Sequence, residues 1–200
     1  MKTVFQILLL AAVIVLSYFI YESVMTPIRF NKEKDKRYEK TIDRLKDIRT
    51  AQLAYRSEYD QFTGSFDTLI NFVKYDSFRV VRQIGSMDDS AAVAEGLVYR
   101  DTVTLSVVDS IFSEDYPVDS LQYVPYTGGK KFELGAGVLE TGSGLKVKVF
   151  EAKVHNDVLL KGLDRQLVVN LNDLRNKLER YPGLQVGSLT EATNHAGNWE

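Results

Sequence analysis

The sequence predicts an α+β protein that begins with a long helical segment. An apolar run without a charged residue fills residues 4–21, and a helical pattern without Gly or Pro fills residues 29–62. Residues 64–187 then mix short alternating patterns, typical of strands, with short helical patterns. We therefore expect an N-terminal transmembrane helix, a long amphipathic helix that extends it, and a small, mostly antiparallel sheet with short helices.

Composition excludes several classes of protein. The chain has 200 residues, a net charge of −2 and no cysteine. The lack of cysteine excludes a disulfide framework, a thiolate metal site and a cysteine nucleophile. Hydrophobic residues make up 44% of the chain, which is typical of a folded protein rather than a disordered one. The near-neutral charge gives no general attraction to nucleic acid.

A membrane anchor is expected over residues 1–27. The run over residues 4–21 has only two clearly polar side chains, and about 20 apolar residues suffice for a helix to cross the hydrocarbon core of a bilayer. A cleaved signal peptide is the alternative, but its cleavage site needs small residues where this chain has Tyr18, Phe19 and Tyr21. We therefore expect a retained single-span anchor in contact with membrane lipid.

The residues around the anchor support two opposite orientations of the chain in the membrane. Six Lys and Arg residues lie between residues 29 and 40, whereas Lys2 alone precedes the span. The positive-inside rule would retain the large domain in the cytoplasm. An almost absent N-terminal tail is instead typical of a signal anchor that exports the following domain. We expect the exported arrangement and leave the cytoplasmic one open.

Residues 28–63 are expected to form an amphipathic stalk helix. Pro27 is expected to kink or break the helix just beyond the membrane. With Ile42 at heptad position a and Leu45 at position d, the next a and d residues would be Arg49 and Gln52, which excludes a coiled coil. Apolar residues recur at steps of three and four, so they share one helix face that is expected to pack on the protein's own globular domain. This face, the stalk stripe, consists of Ile42, Leu45, Ile48, Ala51, Tyr55, Tyr59 and Phe62.

The basic segment over residues 29–40 has two interpretations. Its cations suit anionic lipid headgroups, at about 1 kcal/mol for each well-placed cation. Glu33, Asp35 and Glu39 are interleaved with the cations, which favours a solvated helix face of mixed charge. The segment has no unbroken basic stripe interleaved with aromatic platforms, so no nucleic-acid partner is expected.

The globular α+β domain is expected over residues 64–187. Ser65 is predicted to cap a short helix over residues 66–74, and residues 85–96 are expected to form a loop. Alternating or apolar runs between turn residues predict the strands. These strands are residues 78–84, 101–108, 121–126, 132–139 and 145–154, of which the last two form a hairpin.

A second helix is expected near the end of this domain. Asn170 or Asn172 is predicted to cap it, and the Pro-Gly pair at residues 182–183 to end it. Residues 188–200 are expected to form a polar tail, in which Trp199 either packs on the domain or contacts a partner. The predicted buried stripe of the helix is Leu171, Leu174, Leu178 and Tyr181.

Motifs that carry chemistry are absent from the sequence. Its two histidines, His155 and His195, are 40 positions apart and lie in no metal-ligand spacing. A glycine string at residues 135–137 falls inside the predicted hairpin, where turn formation explains it better than a dinucleotide site. We therefore expect no enzyme, no cofactor and no metal site, although a pair of distant carboxylates would leave no local mark.

The segment over residues 48–70, IRTAQLAYRSEYDQFTGSFDTLI, resembles the region where the spine helix of type IV pilins and type II secretion pseudopilins meets the globular domain. The resemblance implies a bacterial domain that is exported, anchored in the inner (plasma) membrane and assembled with other proteins. Val4 precedes Phe5 where pilin processing needs Gly, and Leu9 stands where those proteins have Glu. The resemblance therefore implies a pilin-like protein that is not processed.

The sequence as a whole predicts a single-pass membrane-anchored structural or assembly protein of the bacterial cell envelope. Its expected partners are membrane lipid and other envelope proteins or further copies of the chain. A membrane-tethered sensor or ligand-binding module, with a pocket in the sheet between residues 103 and 154, is the alternative, and a tethered enzyme with dispersed carboxylates is a weaker one. The predicted contact residues are Ile42, Leu45, Ile48, Tyr55, Tyr59, Phe62 and Trp199.

Overall fold

The computed structural model describes residues 2–84, 99–113, 115–142 and 144–200. They form two compact units. The first unit comprises Met1–Asp43, Val124–Lys130 and Val154–Leu184, and the second comprises Arg44–Tyr123, Lys131–Lys153 and Gln185–Glu200. A long N-terminal helix, short helices and antiparallel strands confirm the predicted α+β class. The predicted loop over residues 85–96 lies outside the described residues.

Helix α1, Lys2–Tyr59, is one continuous helix. Pro27 lies inside it, so the predicted break at Pro27 does not occur. A proline removes only one backbone donor, and the helical hydrogen bonds on either side do not depend on that donor. The predicted anchor and the predicted stalk are therefore parts of a single element.

Helix α2, Phe66–Tyr75, begins as the sequence predicts. The Ser65 hydroxyl accepts a hydrogen bond from the Thr68 backbone N–H at 3.4 Å, which satisfies one free donor of the first turn. Asp67 places a negative charge near the positive end of the helix dipole. Its buried face consists of Leu69, Ile70, Phe72 and Val73.

Strands β1, Ser77–Ile84, and β2, Tyr99–Ser106, form an antiparallel two-stranded sheet. Both strands were predicted from the sequence, the second of them from its alternation. The second strand ends two residues earlier than predicted, because helix α3, Val107–Ile111, begins there. Val107 is fully buried, as the alternation requires, but its backbone N–H donates to the Asp76 carbonyl oxygen at 3.0 Å.

The predicted strand over residues 121–126 is wrong. A 3₁₀ turn, Val118–Gln122, occupies its start, and only Tyr123 pairs with another segment, through an isolated bridge to Lys131. The next residue but one is a proline, which has no donor for a ladder, and Tyr126 has a φ of +63°. Neither residue can extend a strand.

The second sheet has three strands in the order β3-β4-β5. Strands β3, Glu133–Glu140, and β4, Lys146–His155, form the predicted antiparallel hairpin. Strand β5, Gly183–Gly187, was not predicted. A Cβ atom on Gly187 would collide with the Phe150 carbonyl oxygen, so the missing side chain allows β5 to approach β4 closely.

Helix α4, Asn156–Leu159, follows β4 directly, and helix α5, Arg165–Lys177, comes next. The predicted caps of α5, Asn170 and Asn172, are wrong because the helix begins earlier. The Asp164 carboxylate accepts a hydrogen bond from the Leu167 N–H at 2.9 Å and caps it.

The predicted buried stripe of α5 is also wrong. Asn172 is buried instead, and its side-chain oxygen accepts a hydrogen bond from the Asn156 amide at 2.9 Å. This buried amide pair and Val168 fix which face of α5 turns inward. Leu174 and Leu178 are each 56% exposed, and Leu171 and Tyr181 are half-buried.

The core of the second unit contains a buried amide that ties α1 to the turn after it. Gln52 is fully buried, donates to the Thr63 carbonyl oxygen at 2.6 Å and accepts from the Thr63 N–H at 3.1 Å. Aromatic rings also pack in this unit, with Tyr55 against Phe72 at 5.2 Å and Phe62 against Phe150 at 4.9 Å between centroids.

The last thirteen residues are docked rather than free. Gly197 forms an isolated bridge with Val186 of β5, and the Asn198 N–H donates to the Gln185 carbonyl oxygen at 3.0 Å. Within the same unit, the Arg49 guanidinium pairs with the Glu200 carboxylate at 2.7 Å.

Candidate functional sites

The first third of α1 is long and apolar enough to cross a membrane. Its most apolar window of 18 residues has a mean hydropathy of 2.5, and none of it is buried inside the protein. Large apolar side chains from Val4 to Val24 are 50–68% exposed. The Ser17 hydroxyl donates to the Val13 carbonyl oxygen at 2.8 Å, so this polar group is satisfied within the helix. These properties are compatible with a single-pass membrane anchor.

The basic segment after this apolar part carries charges of both signs in contact with each other. Arg29 pairs with Glu22 at 3.3 Å, and Arg37 pairs with Glu33 at 3.3 Å. The Arg37 guanidinium also donates to the carbonyl oxygens of Leu159 at 3.1 Å and Lys161 at 3.0 Å. These pairs fit the mixed-charge helix face considered from the sequence, and binding of lipid by this segment stays a prediction.

A half-buried phenol joins α1 to the rest of the first unit. Tyr38 donates to the Asn156 side-chain oxygen at 2.5 Å, and Asn156 in turn donates to Asn172. Burial, opposed by the Arg175 charge, raises the pKa of Tyr38. The phenol therefore stays protonated and acts as a hydrogen-bond donor that orients the amide pair.

The stalk stripe is mostly buried inside the protein. Leu45 and Ile48 are fully buried, and Tyr55 and Phe62 are 8% exposed. Packing on the protein's own domain, as the sequence predicts, accounts for these side chains. The predicted contact residues of this stripe that remain accessible are Ile42, which is half-buried, and Tyr59, which is 48% exposed.

An open groove in the second unit is lined by aromatic and polar side chains. We call it the aromatic groove. Tyr59 donates to the Asp76 carboxylate at 2.6 Å, and this hydrogen bond raises the pKa of Tyr59 to about 12. Tyr75 is 78% exposed beside them. The groove is formed by Tyr55, Tyr59, Thr68, Asn71, Phe72, Tyr75 and Asp76.

Only part of this groove was identified from the sequence. Tyr55 and Tyr59 were predicted as contact residues, but Asn71, Tyr75 and Asp76 were not. Asn71 and Tyr75 lie four positions apart on α2, and this spacing is the signal that places them on one face. Their position beside the end of α1 depends on packing between the two helices and has no local signature.

His195 packs in an aromatic cluster of the second unit. Its ring lies 5.3 Å from the Phe150 ring in a stacked arrangement and 4.9 Å from the Phe62 ring at a steep angle. Burial lowers the pKa of His195, and the charges of Arg56 and Arg49 lower it further. The imidazole is therefore suited to a neutral packing role.

Two further residues considered in the sequence, His155 and Trp199, also belong to the folded structure. His155 caps α4 by accepting a hydrogen bond from the Asp157 N–H at 3.2 Å. Trp199 is half-buried, and its indole N–H has no hydrogen-bond partner among the described residues. In the same described part of the chain, no group of three or more His, Asp or Glu side chains is arranged to hold a metal ion.

Helix α5 presents an apolar face that the core does not cover. We call it the leucine stripe, and its members follow one another at steps of four, three and four residues. Leu167 and Leu171 are half-buried, whereas Leu174 and Leu178 are mostly exposed. This spacing places all four side chains on one side of the helix, away from the buried Val168.

The start of α5 lies beside the end of the apolar part of α1. A cleft in the first unit is lined by residues of both helices, with Leu167 and Asp164 facing α1. From α1 the cleft is lined by Phe19, Glu22, Ser23, Thr26 and Pro27.

Comparison with protein-family models, with curated proteins and with solved structures gave no match to this chain.

Proposed function

We propose that the chain is a single-pass membrane-anchored structural or assembly protein of the bacterial cell envelope, pilin-like in its organisation. The observation that carries the proposal is the exposure of the apolar part of α1. Fifteen large apolar or aromatic side chains between Val4 and Val24 are each at least half exposed. In water this surface would be strongly unfavourable, at about 25 cal/mol for each Å² of apolar area, and a bilayer would cover it.

The continuity of α1 supports a structural role. The apolar part and the buried part belong to one helix without an intervening loop. A membrane span joined to a domain in this way transmits orientation, because a helix is stiffer than a flexible linker. We therefore propose that the anchor holds the domain at a defined height above the inner membrane, on the exported side.

The leucine stripe supports assembly with other protein surfaces. Leu174 and Leu178 are each 56% exposed on a helix whose other face is packed. Exposed leucines at this spacing are typical of a helix face that packs against another helix. Other envelope proteins, or further copies of this chain in the same membrane, are the proposed partners.

Native mass spectrometry of the full chain, extracted from its cells in a mild detergent, tests the assembly role. We expect complexes of defined stoichiometry that the double variant Leu174→Gln, Leu178→Gln dissociates. Val169→Gln is the matched control, since Val169 is a 40% exposed apolar residue on the same helix outside the stripe. A monomeric chain in wild type and both variants would contradict assembly through this face.

Topology is tested separately with a periplasm-dependent reporter, such as alkaline phosphatase, fused after Glu200. Activity of the fusion is expected for an exported domain. If this fusion is inactive and a fusion of a cytoplasm-dependent reporter at the same position is active, the domain lies in the cytoplasm, as the charges after the span favour.

A ligand-binding module is a second candidate function, favoured by the aromatic groove. Its exposed Tyr75 ring, the Asn71 amide and the Asp76 carboxylate combine a stacking surface with hydrogen-bonding groups. A small-molecule screen by thermal shift, repeated on Tyr75→Ala, tests this candidate. Stabilisation of wild type that Tyr75→Ala abolishes would favour binding at the groove.

A further inference from the structure

The loop before α5 and the first turn of that helix approach α1 where the apolar part of α1 ends. We call residues 161–167 the tip. Its Asp164 and Leu167 line the cleft with Phe19 and Pro27 of α1. All these residues belong to the first unit.

This position corresponds to the boundary of a bilayer. About 20 helical residues cover the roughly 30 Å of a hydrocarbon core. Counted from Val4, the uncharged run ends at Tyr21, and Glu22 is the first charged side chain. The part of α1 that contacts the tip therefore leaves the hydrocarbon at the level of the lipid headgroups, if α1 spans the membrane as proposed above.

The side chains of the tip suit such a boundary. Lys161 and Arg165 are exposed and form no ion pair with any described residue, and Leu163 lies half-buried between them. Three acidic groups lie nearby, and each has a partner. The Asp157 carboxylate, which lines a pocket with Lys161 and Arg165, accepts a hydrogen bond from the Asn172 amide at 2.8 Å. The Asp164 carboxylate caps α5 at 2.9 Å, and Glu22 pairs with Arg29 at 3.3 Å. Within residues 161–167 two cations stand beside the single carboxylate of Asp164, so the tip carries a net positive charge.

We propose that the tip is a second membrane contact, which binds the anionic phospholipid headgroups of the bilayer that α1 crosses. Lys161 and Arg165 pair with the lipid phosphates, and Leu163 and Leu167 enter the interfacial layer. This inference rests on the proposed membrane anchoring and adds a lipid specificity to it. Each cation near an anionic surface increases membrane affinity about fivefold, so two give about twenty-five-fold.

The opposite end of α5 serves as an internal control. Asn172 is hydrogen-bonded to Asn156, which accepts from Tyr38. Tyr38 lies eleven residues after Pro27, and eleven residues of helix extend about 16 Å. Helix α5 therefore runs away from the bilayer, and Leu178 at its end is not expected to reach the headgroups.

The absence of cysteine permits the experiment. The full chain is reconstituted in nanodiscs with a fluorophore on a single introduced cysteine, at Leu9→Cys, Leu163→Cys or Leu178→Cys. Quenching by lipids that carry a nitroxide near the headgroup is then measured in zwitterionic discs and in discs containing phosphatidylglycerol. We expect strong quenching at position 163 that increases with the anionic lipid, and weak quenching at position 178.

Charge variants test the recognition itself. The double variant Lys161→Gln, Arg165→Gln is expected to reduce quenching at position 163 in anionic discs to its value in zwitterionic discs. Lys177→Gln, Arg180→Gln removes two exposed cations near the other end of α5 and is expected to change nothing. Far-UV circular dichroism checks that both variants are folded.

The outcomes separate the two proposals. If the label at position 9 is not protected within the bilayer, membrane anchoring itself is wrong. If position 9 is within the bilayer while position 163 is quenched no more than position 178, anchoring stands and the tip contact is wrong. If quenching at position 163 depends neither on the lipid charge nor on the two substitutions, headgroup recognition by Lys161 and Arg165 is excluded.

Discussion

Gln52 carries a large share of the local structure around the end of α1. Its buried amide satisfies both the N–H and the C=O of Thr63, at 3.1 Å and 2.6 Å. A buried backbone group that loses its partner destabilises the folded state, so one side chain here protects two such groups. The sequence indicates none of this, since Gln52 occupies a position that reads as an interruption of an apolar pattern.

Replacement of Gln52 by leucine is expected to lower the free energy of unfolding by about 3 kcal/mol, because the volume is kept while two buried backbone groups lose their hydrogen bonds. Chemical denaturation followed by circular dichroism measures the change. Gln61→Leu alters an exposed glutamine and is expected to stay within about 0.5 kcal/mol of wild type. Equal stability of the two variants would mean that Thr63 finds other partners.

His195 gives the protein a pH dependence of predictable sign. Burial and the two nearby guanidinium groups lower the pKa of His195 below its ordinary 6.5. Between the folded pKa and 6.5 the unfolded chain therefore binds more protons than the folded chain. Stability is fully present above pH 6.5 and falls as the pH drops from there towards the folded pKa.

Denaturation midpoints at pH about 7.5 and about 5.5 measure this effect. His195→Asn is expected to reduce the difference between the two midpoints, and asparagine tolerates the φ of +63° at this position. His155→Gln, in the first unit, should keep the fall that His195 causes. A difference that is the same in wild type and His195→Asn would assign the pH dependence to other groups.

At the scale of elements, the sequence predicts best where the signal is local. The Ser65 cap and the buried face of α2 follow from residues within one turn of each other. The buried face of α5 was not predictable in this way. Asn156, sixteen positions earlier, forms a hydrogen bond that keeps Asn172 buried, and Leu174 therefore faces outward. An apolar stripe reveals a helix, but it does not reveal whether the protein core or another surface covers that stripe.

The candidate sites also differ in whether their signal in the sequence is local. The apolar part of α1 was predicted from composition alone, because crossing a bilayer needs only length and hydropathy. The aromatic groove combines residues of α1 and α2, and the cleft beside the tip combines residues of α1 with Asp164 and Leu167. Only residues such as Tyr59, which also belong to a periodic pattern, were therefore predicted. Strand β5 was missed because five residues with glycine at both ends carry little alternation.

Strand β5 depends on Gly187 in two ways. Its φ is +69°, and a Cβ atom there would collide with the Phe150 carbonyl oxygen of β4. Gly128 has a similar φ of +67° with nothing near its Cβ position, so the pair separates backbone strain from close approach. Gly187→Ala is expected to destabilise by at least about 3 kcal/mol and Gly128→Ala by about 1 kcal/mol.

Denaturant unfolding of both variants measures the difference. A Gly187→Ala variant no less stable than Gly128→Ala would show that β5 can move away from β4 without loss. The comparison is made between variants, so it does not depend on an absolute value for the unfolding free energy.

At the scale of the whole molecule, α1 joins an exposed apolar part and a buried part in one helix. Its first buried side chain is Phe30, which is 8% exposed, and every large apolar side chain from Val4 to Val24 is at least half exposed. The polar contacts of α1 within the first unit begin farther along, where Arg37 and Tyr38 hold the segment around α4. The boundary between the exposed apolar part of α1 and the part that packs on the protein therefore lies between residues 22 and 30.

This boundary predicts the behaviour of two truncated chains. A fragment of residues 22–200 loses no buried side chain, so it is expected to be soluble without detergent and to unfold cooperatively. A fragment of residues 44–200 also loses Phe30 and the hydrogen bonds of Arg37 and Tyr38 to Leu159 and Asn156. It is expected to lose the ordered structure of residues 154–184, because buried apolar and polar groups there would face water.

Thermal melting by circular dichroism and limited proteolysis of both fragments test this boundary. Protection of residues 154–184 in the longer fragment and their cleavage in the shorter one is the expected pattern. Cleavage of the longer fragment at the same sites would place the boundary too late, since some contact of residues 2–21 would then be needed for folding. Equal protection in both fragments would mean that α1 contributes little to the first unit beyond its anchor, and the single helix would have no structural reason to continue unbroken past Pro27.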